Sequence, residues 1–184
     1  MNIVTIIKES LYAVQYDKDK IYESEFEKVI DSWQDAIFLE EFFELHKDDL
    51  YSGFWGDISI EDAILRTREE AIKLEEKIIE IAEIGKTDRF QTLSTLFQPL
   101  YNNPTKTEPF EKNKVKGHHQ PSWLRIYALR IDQNCFLITG GAIKLTPNMN
   151  ERDHLLQELE KLKMVKNYIC DEDNFDDADF FEMI

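Results

Sequence analysis

Apolar positions along the chain change period several times, and each change marks an element. Residues 3–7 and 11–16 are short β-branched or aromatic runs separated by Lys8-Glu9-Ser10, a spacing that predicts one interrupted strand or a hairpin. After the polar link Asp17-Lys18-Asp19-Lys20, Ser24 with Glu27 three residues later forms a capping-box pattern. Phe26, Val29, Ile30, Trp33 and Ile37 then recur at helical spacing, predicting a helix to about His46. Lys47 to Asp57, with two glycines, is a break. Ser59 and Asp62 suggest a second helix start, and Ile60, Ile64, Ala71, Leu74, Ile78 and Ala82 mark one face of a long helix ending near Gly85. The two helices are expected to pair antiparallel, each burying one stripe.

Asp88 to Leu100 is a short amphipathic segment, and Pro104 and Pro109 break the loop Tyr101 to Glu108. Phe110 to Lys116 alternates apolar and basic residues loosely. Trp123 to Ile131 and Cys135 to Leu145 are the clearest strand patterns, joined by Asp132-Gln133-Asn134 as a hairpin loop. Gly140-Gly141 inside the second run suggests a bulge or a close backbone approach. Pro147 and Asn150 precede a last helix with Leu155, Leu159, Leu162 and Val165 on one face, and the tail from Asp171 alternates acids with Phe175, Phe180 and Phe181. The order β, α, α, short helix, β, β, β, α places helices early and a meander late. The expected class is α+β: N-terminal strands and two long helices packed on a C-terminal antiparallel sheet, then a helix and an acidic tail, in one domain over residues 1–184.

Composition fits a folded chain. With 42% hydrophobic and 12% aromatic residues there is enough apolar surface for a core. No apolar run approaches the roughly 18 residues needed to span a bilayer, and the start carries no basic leader, so a cytoplasmic protein without membrane contact is expected. Cys135 and Cys170 then read as buried or half-buried thiols.

The net charge of −15 argues against nucleic-acid binding until its distribution is seen. Residues 1–85 hold 9 basic and 22 acidic side chains, a net of −13. Residues 86–168 hold 13 basic and 8 acidic, a net of +5, and residues 169–184 hold 7 acidic and no basic. A basic block thus lies between two acidic ones. The tail is expected to dock through its phenylalanines, as a cover on the basic segment or as a handle for a partner; a frayed terminus is the plain alternative.

One resemblance emerges at the hairpin. Trp123-Leu124-Arg125-Ile126-Tyr127-Ala128-Leu129-Arg130-Ile131, then Cys135-Phe136-Leu137-Ile138-Thr139-Gly140-Gly141-Ala142-Ile143-Lys144-Leu145-Thr146, resembles the central hairpin of the RelE/ParE superfamily, the toxins of bacterial type II toxin–antitoxin systems, and its HigB-like branch in particular. The matching positions are Arg125 and Tyr127, Gly140 or Gly141, Lys144, Pro147 and the helix from Glu151, within residues 86–170. Where the HigB-like pattern carries consecutive lysines, Lys144 is followed by Leu145. The resemblance implies a RelE-like fold, ribosome-dependent cleavage of mRNA as an endoribonuclease, and as partners RNA or the ribosome and a cognate antitoxin.

Such cleavage needs cations on the scissile phosphate and a group that moves protons. Lys112, Lys114, Lys116, Arg125, Arg130 and Lys144 are the candidate cations; His118 or His119, of which His119 is preferred, is the candidate acid or base. Trp123 or Tyr127 is a candidate for stacking on a base. Arg125, Lys144 and His119 form the candidate catalytic set, and Lys112, Lys114, Lys116, Arg130 and Tyr127 the nucleic-acid-binding set. Arg125 and Lys144 are expected on one concave surface with Lys112 to Lys116 at its rim. Each candidate also has a plain reading: three lysines at period two are commonly a solvated strand face, Lys144 a surface lysine, and the histidine pair solvent-exposed. Arg125 and Arg130 are an odd number apart, so a regular strand sends them to opposite faces. Adjacent pairs such as Glu40-Glu41, Glu69-Glu70 and Glu75-Glu76 do not face each other on a helix. No nucleotide-binding or zinc-peptidase motif occurs, so neither cofactor nor metal is expected. The competing class is a non-enzymatic acidic interaction module that keeps the fold without catalysis.

Overall fold

In the computed structural model, residues 1–16, 21–100, 110–117 and 121–170 are described. The acidic tail, the 101–109 loop and the His118-His119 pair lie outside them. The N-terminal runs form a hairpin, β1 (Asn2–Ile7) antiparallel to β2 (Leu11–Gln15). It turns through Glu9, whose φ of 67° is left-handed.

The expected first helix is two: α1 (Glu25–Gln34) and α2 (Ala36–Leu45). Ser24 caps α1 by accepting from the Glu27 amide, while the Glu27 carboxylate reaches the Glu23 amide instead of closing a full capping box. Asp35 causes the break. Its backbone ends α1, and its side chain accepts from the Ile37 and Phe38 amides to start α2, a competition with helical continuation typical of aspartate. After the one-turn α3 (Lys47–Leu50), the long α4 (Ile60–Ile84) is capped by Ser59, which accepts from the Asp62 amide, and ends at Gly85. A short α5 (Leu93–Leu96) leads into β3 (Gln98–Pro99), β4 (Glu111–Lys116), β5 (Leu124–Asp132) and β6 (Cys135–Ile143). A 3-10 turn at Met149–Glu151 precedes α6 (Asp153–Cys170).

The class is α+β, and the sheet is mixed. Its order is β1-β2-β6-β5-β4-β3, antiparallel throughout except where β2 lies parallel to β6. The C-terminal strands pair antiparallel as expected, and the correction is that the N-terminal hairpin joins their sheet, through a parallel pairing. Parallel neighbours require a long crossover between them, and the helices after β2 supply it. The early strand thereby enters the sheet beside the last one.

Both faces of the sheet are covered. Leu11, Ala13, Leu124, Ile126, Ala128, Phe136 and Ile138 pack with α1, α2 and α4 through Val29, Trp33, Phe43, Leu74 and Ile78. Tyr12, Val14, Tyr127, Leu129, Ile131 and Leu137 pack with α6 through Leu155, Leu162, Val165 and Ile169. Two-sided burial explains why β5 and β6 read as nearly continuous apolar runs. Each fully buried aliphatic or phenyl side chain contributes roughly 1.5–3 kcal/mol.

The two glycines of β6 fit the expected close approach. Tyr127 pairs with Gly140 and Ala128 with Ile138, so Thr139 is an extra residue, a bulge. A Cβ on Gly140 would collide with the Glu158 carboxylate of α6, and one on Gly141 would stand 2.7 Å from Val29 Cγ1. Helices on both sides therefore press onto backbone at this point. Cys135 is buried in β6, whereas Cys170, the last residue of α6, is exposed and not half-buried as expected.

Candidate functional site: a cationic cleft

Strand alternation assembles the site. Lys112, Lys114 and Lys116 of β4 stand opposite Leu129, Tyr127 and Arg125 of β5, so all share the sheet face that carries α6. Asn113 and Val115 point the other way and are buried. Beyond β6, the Lys144 amide donates to the Trp123 carbonyl at 2.7 Å, which carries this lysine back beside the start of β5.

Lys114, Lys116, Arg125 and Lys144 consequently line one cleft of about 490 Å³. Its walls include Phe54, Trp55, Leu100, Pro147 and Met149, with Tyr127 as floor. Three of the cations are held by main-chain carbonyls. Arg125 donates to Ser122 at 2.8 Å and Leu124 at 2.6 Å, Lys114 to Leu100 at 3.2 Å, and Lys144 to Thr146 at 2.6 Å and to Pro147. Among the described residues, no carboxylate lines the cleft and none forms a salt bridge with these four. Burial, then mutual repulsion, holds Lys114 below the usual lysine range, with Lys116 and Arg125 as the repelling neighbours. Lys144 is lowered for the same reasons, by burial first and then by Arg125 and Lys114. Arg125 is lowered by burial, yet a guanidinium remains charged. Glu70 acts on Arg125 and Glu151 on Lys144 from outside the cleft lining, so four crowded cations with no ion pair among the described residues form a site that an anion would stabilise.

The other candidates fall elsewhere. Lys112 is further along β4, beneath α6, where burial and then Lys166 and Lys163 lower its pKa; it does not line the cleft. Arg130 pairs with Phe136 and Glu111 on the opposite face of β5, as its odd spacing from Arg125 requires, because the bulge is on β6 and leaves the alternation of β5 intact. His119 lies outside the described residues. Trp123 and Tyr127 are both fully buried, so neither ring presents an open face to a base. Trp123 donates to Thr67 Oγ1 at 2.9 Å and packs edge-on against Phe43 and Trp55. The Tyr127 hydroxyl donates to Met149 Sδ at 2.9 Å, and burial drives its pKa far up. These rings are structural because aromatic bulk at the sheet centre is buried from both sides.

Beneath the rim a buried carboxylate supports the site. Glu70 of α4 accepts from Arg66 Nε at 2.9 Å and from Ser122 Oγ at 2.6 Å. Arg66 lies over the Trp123 ring, 4.2 Å from its centroid, and donates to the Pro121 carbonyl. This network orders residues 121–123, the segment that presents its carbonyl to Arg125. Glu70 reads as half of a solvated pair in sequence; its burial depends on a loop that arrives 52 residues later.

In the middle of α6, Lys161 Nζ bridges Glu25 Oε1 at 3.0 Å and Glu158 Oε1 at 2.8 Å. Burial nevertheless pushes the Glu158 carboxyl up to about 7, and its Oε2 atom, buried against Gly140, has no hydrogen-bond partner among the described residues. A separate cleft of about 510 Å³ is lined by Asp48, Asp49, Asp153, His46, His154 and Arg152. Arg152 Nε donates to Asp49 Oδ2 at 2.7 Å there, so its positive charge is neutralised. Among the described residues no cluster of three His, Cys, Asp or Glu side chains is placed to hold a metal ion, and no helix is long and apolar enough to cross a membrane.

Phe54 and Trp55 are among the cleft residues that the sequence did not single out. The available signal is two glycines bracketing an aromatic pair in what otherwise reads as a break. No family model, curated protein or solved structure matches the chain.

Proposed function

We propose that the cationic cleft binds the phosphodiester backbone of RNA, and that the chain is a toxin-like protein of RelE/ParE type acting on mRNA as an endoribonuclease. The observation that carries this reading is the convergence of Lys114, Lys116, Arg125 and Lys144 in one cleft with no lining carboxylate among the described residues, in a chain whose net charge is −15. A cation cluster maintained against that background is most simply explained by an anionic ligand. The hairpin resemblance adds support, since Arg125 and Lys144, its two catalytic candidates within the described residues, line this same cleft.

The chemistry asks little of the protein. The RNA 2′-hydroxyl attacks the adjacent phosphorus, its proton passes to a base, and the 5′-oxygen of the next nucleotide leaves with a proton. The products are a 2′,3′-cyclic phosphate and a 5′-hydroxyl. Arg125 and Lys116 hold the non-bridging oxygens and stabilise their added charge. Lys114 and Lys144, lowered by burial and by their neighbours, are the cleft groups best suited to exchange protons.

Incubation with single-stranded RNA, with the new ends mapped, tests this. Cyclic-phosphate ends, lost when the 2′-hydroxyl at the cut site is removed and lost in Arg125→Ala, support it. Growth arrest on induction in a bacterial host is the cellular counterpart. One observation favours the rival reading of binding without catalysis: no imidazole or carboxylate lines the cleft among the described residues. RNA that is bound in a salt-dependent way, left uncut, and harmless to the host would select binding without catalysis, whereas no RNA binding together with capture of a basic partner would select the acidic interaction module.

A further inference from the structure

We infer that Phe54 is the base-stacking residue of the cleft, so that its ligand is a single strand with an unpaired base beside the bound phosphate. This rests on the reading of the cleft as an RNA site and names the element that would distinguish a nucleic acid from any other polyanion.

Lone exposed apolar residues are ordinary on protein surfaces, but the setting of Phe54 is specific. It is 68% exposed at the wall of the same cleft as the four cations. Gly53 and Gly56 flank the Phe54-Trp55 pair with φ of 90° and 81°, and a Cβ at either would meet nothing within 4 Å. The glycines therefore serve the left-handed backbone of the turn and not a tight space. Trp55 anchors that turn: its indole N–H donates to the Leu145 carbonyl at 3.0 Å, and its ring packs edge-on against Trp123 with centroids 5.3 Å apart. Phe54 then rests edge-to-face on Trp55, at 4.8 Å and 87°. Because Leu145 follows Lys144 directly, one short segment positions both a phosphate-binding cation and the aromatic wall. An open ring held on an ordered turn beside a row of cations is the combination by which single-stranded nucleic acids are bound, the charges tracking the backbone and the ring taking a base.

The test uses the full chain and two fluorescent probes, an eight-nucleotide oligoadenylate and an abasic strand of the same length and charge. Wild type is expected to bind both, the oligoadenylate more tightly. Phe54→Ala is expected to weaken oligoadenylate binding by roughly ten-fold, within the range for one stacked base, and to leave abasic binding unchanged. Phe54→Trp should restore the difference. Circular dichroism of both variants should match wild type, because the ring is mostly solvent-exposed. If Phe54→Ala binds oligoadenylate as wild type does while Lys144→Ala does not, the stacking role is overturned and the cleft is a backbone-only site. Equal loss on both probes overturns it as well. If wild type binds neither probe at low salt, the RNA reading of the cleft itself falls.

Discussion

Replacing Glu158 by glutamine removes an ionisable group from a buried position between α6 and β6. The side chain is 6% exposed, one oxygen accepts from Lys161, and the other abuts Gly140 without a partner among the described residues. Burial raises its pKa from 4.5 to about 7, outweighing the opposing pull of Lys161. In the unfolded chain the group ionises near the lower value and in the folded protein near the higher one. Between them the folded state holds a proton that the unfolded state has lost, so stability falls as pH rises through that window. The full gap corresponds to at most about 3 kcal/mol. Glutamine occupies nearly the same volume and carries no charge to desolvate, while Lys161 keeps Glu25 at 3.0 Å and is not orphaned. The variant should match wild type within about 0.5 kcal/mol near pH 4 and exceed it by about 2–3 kcal/mol near pH 8.5. Urea unfolding at both pH values and fixed ionic strength, with unchanged m, reads this directly; titrations elsewhere cancel in the difference. A difference independent of pH, or a wild type more stable at the alkaline end, refutes the assignment of the burial cost to Glu158.

Glu70→Ala leaves Arg66 Nε and Ser122 Oγ without their acceptor, and should cost about 3 kcal/mol or more in urea unfolding; a loss below about 1 kcal/mol would show the network to be dispensable. Gly141→Ala places a Cβ 2.7 Å from Val29 Cγ1 and 3.0 Å from the Arg125 carbonyl, and the latter is backbone that cannot turn aside. It should destabilise by about 1–3 kcal/mol, seen as a lower thermal midpoint. Lys144→Met removes a cation that its neighbours repel, so stability should stay within about 1 kcal/mol of wild type or rise, while affinity for single-stranded RNA at low salt falls about ten-fold or more. A large loss of stability would instead make the Lys144 contacts to Thr146 and Pro147 a structural tie.

Some of this organisation belongs to the sequence alone, because it depends on neighbours a few residues apart. Two apolar, β-branched runs at 124–131 and 135–143, separated by three polar residues, specify the hairpin; Ser24 and Ser59 mark helix starts. Period two alone puts Lys112, Lys114 and Lys116 on one face and sends Arg130 away from Arg125. The basic block at 86–168 is visible in composition, and with it the expectation that Arg125 and Lys144 share a surface. Tertiary structure decided the rest. Whether β2 meets β6, and in which direction, is set by burial of both sheet faces and not by any local pattern. Asp35 splits a periodic helix because its side chain finds two amides to cap. Glu158 and Glu70, indistinguishable in sequence from solvated helix glutamates, are buried by a bulged glycine strand and by a distant loop. Phe54 joins the cations only because Trp55 reaches the carbonyl that follows Lys144. A cleft formed by segments 90 residues apart has no local signature, since its members meet only after the core between them has packed.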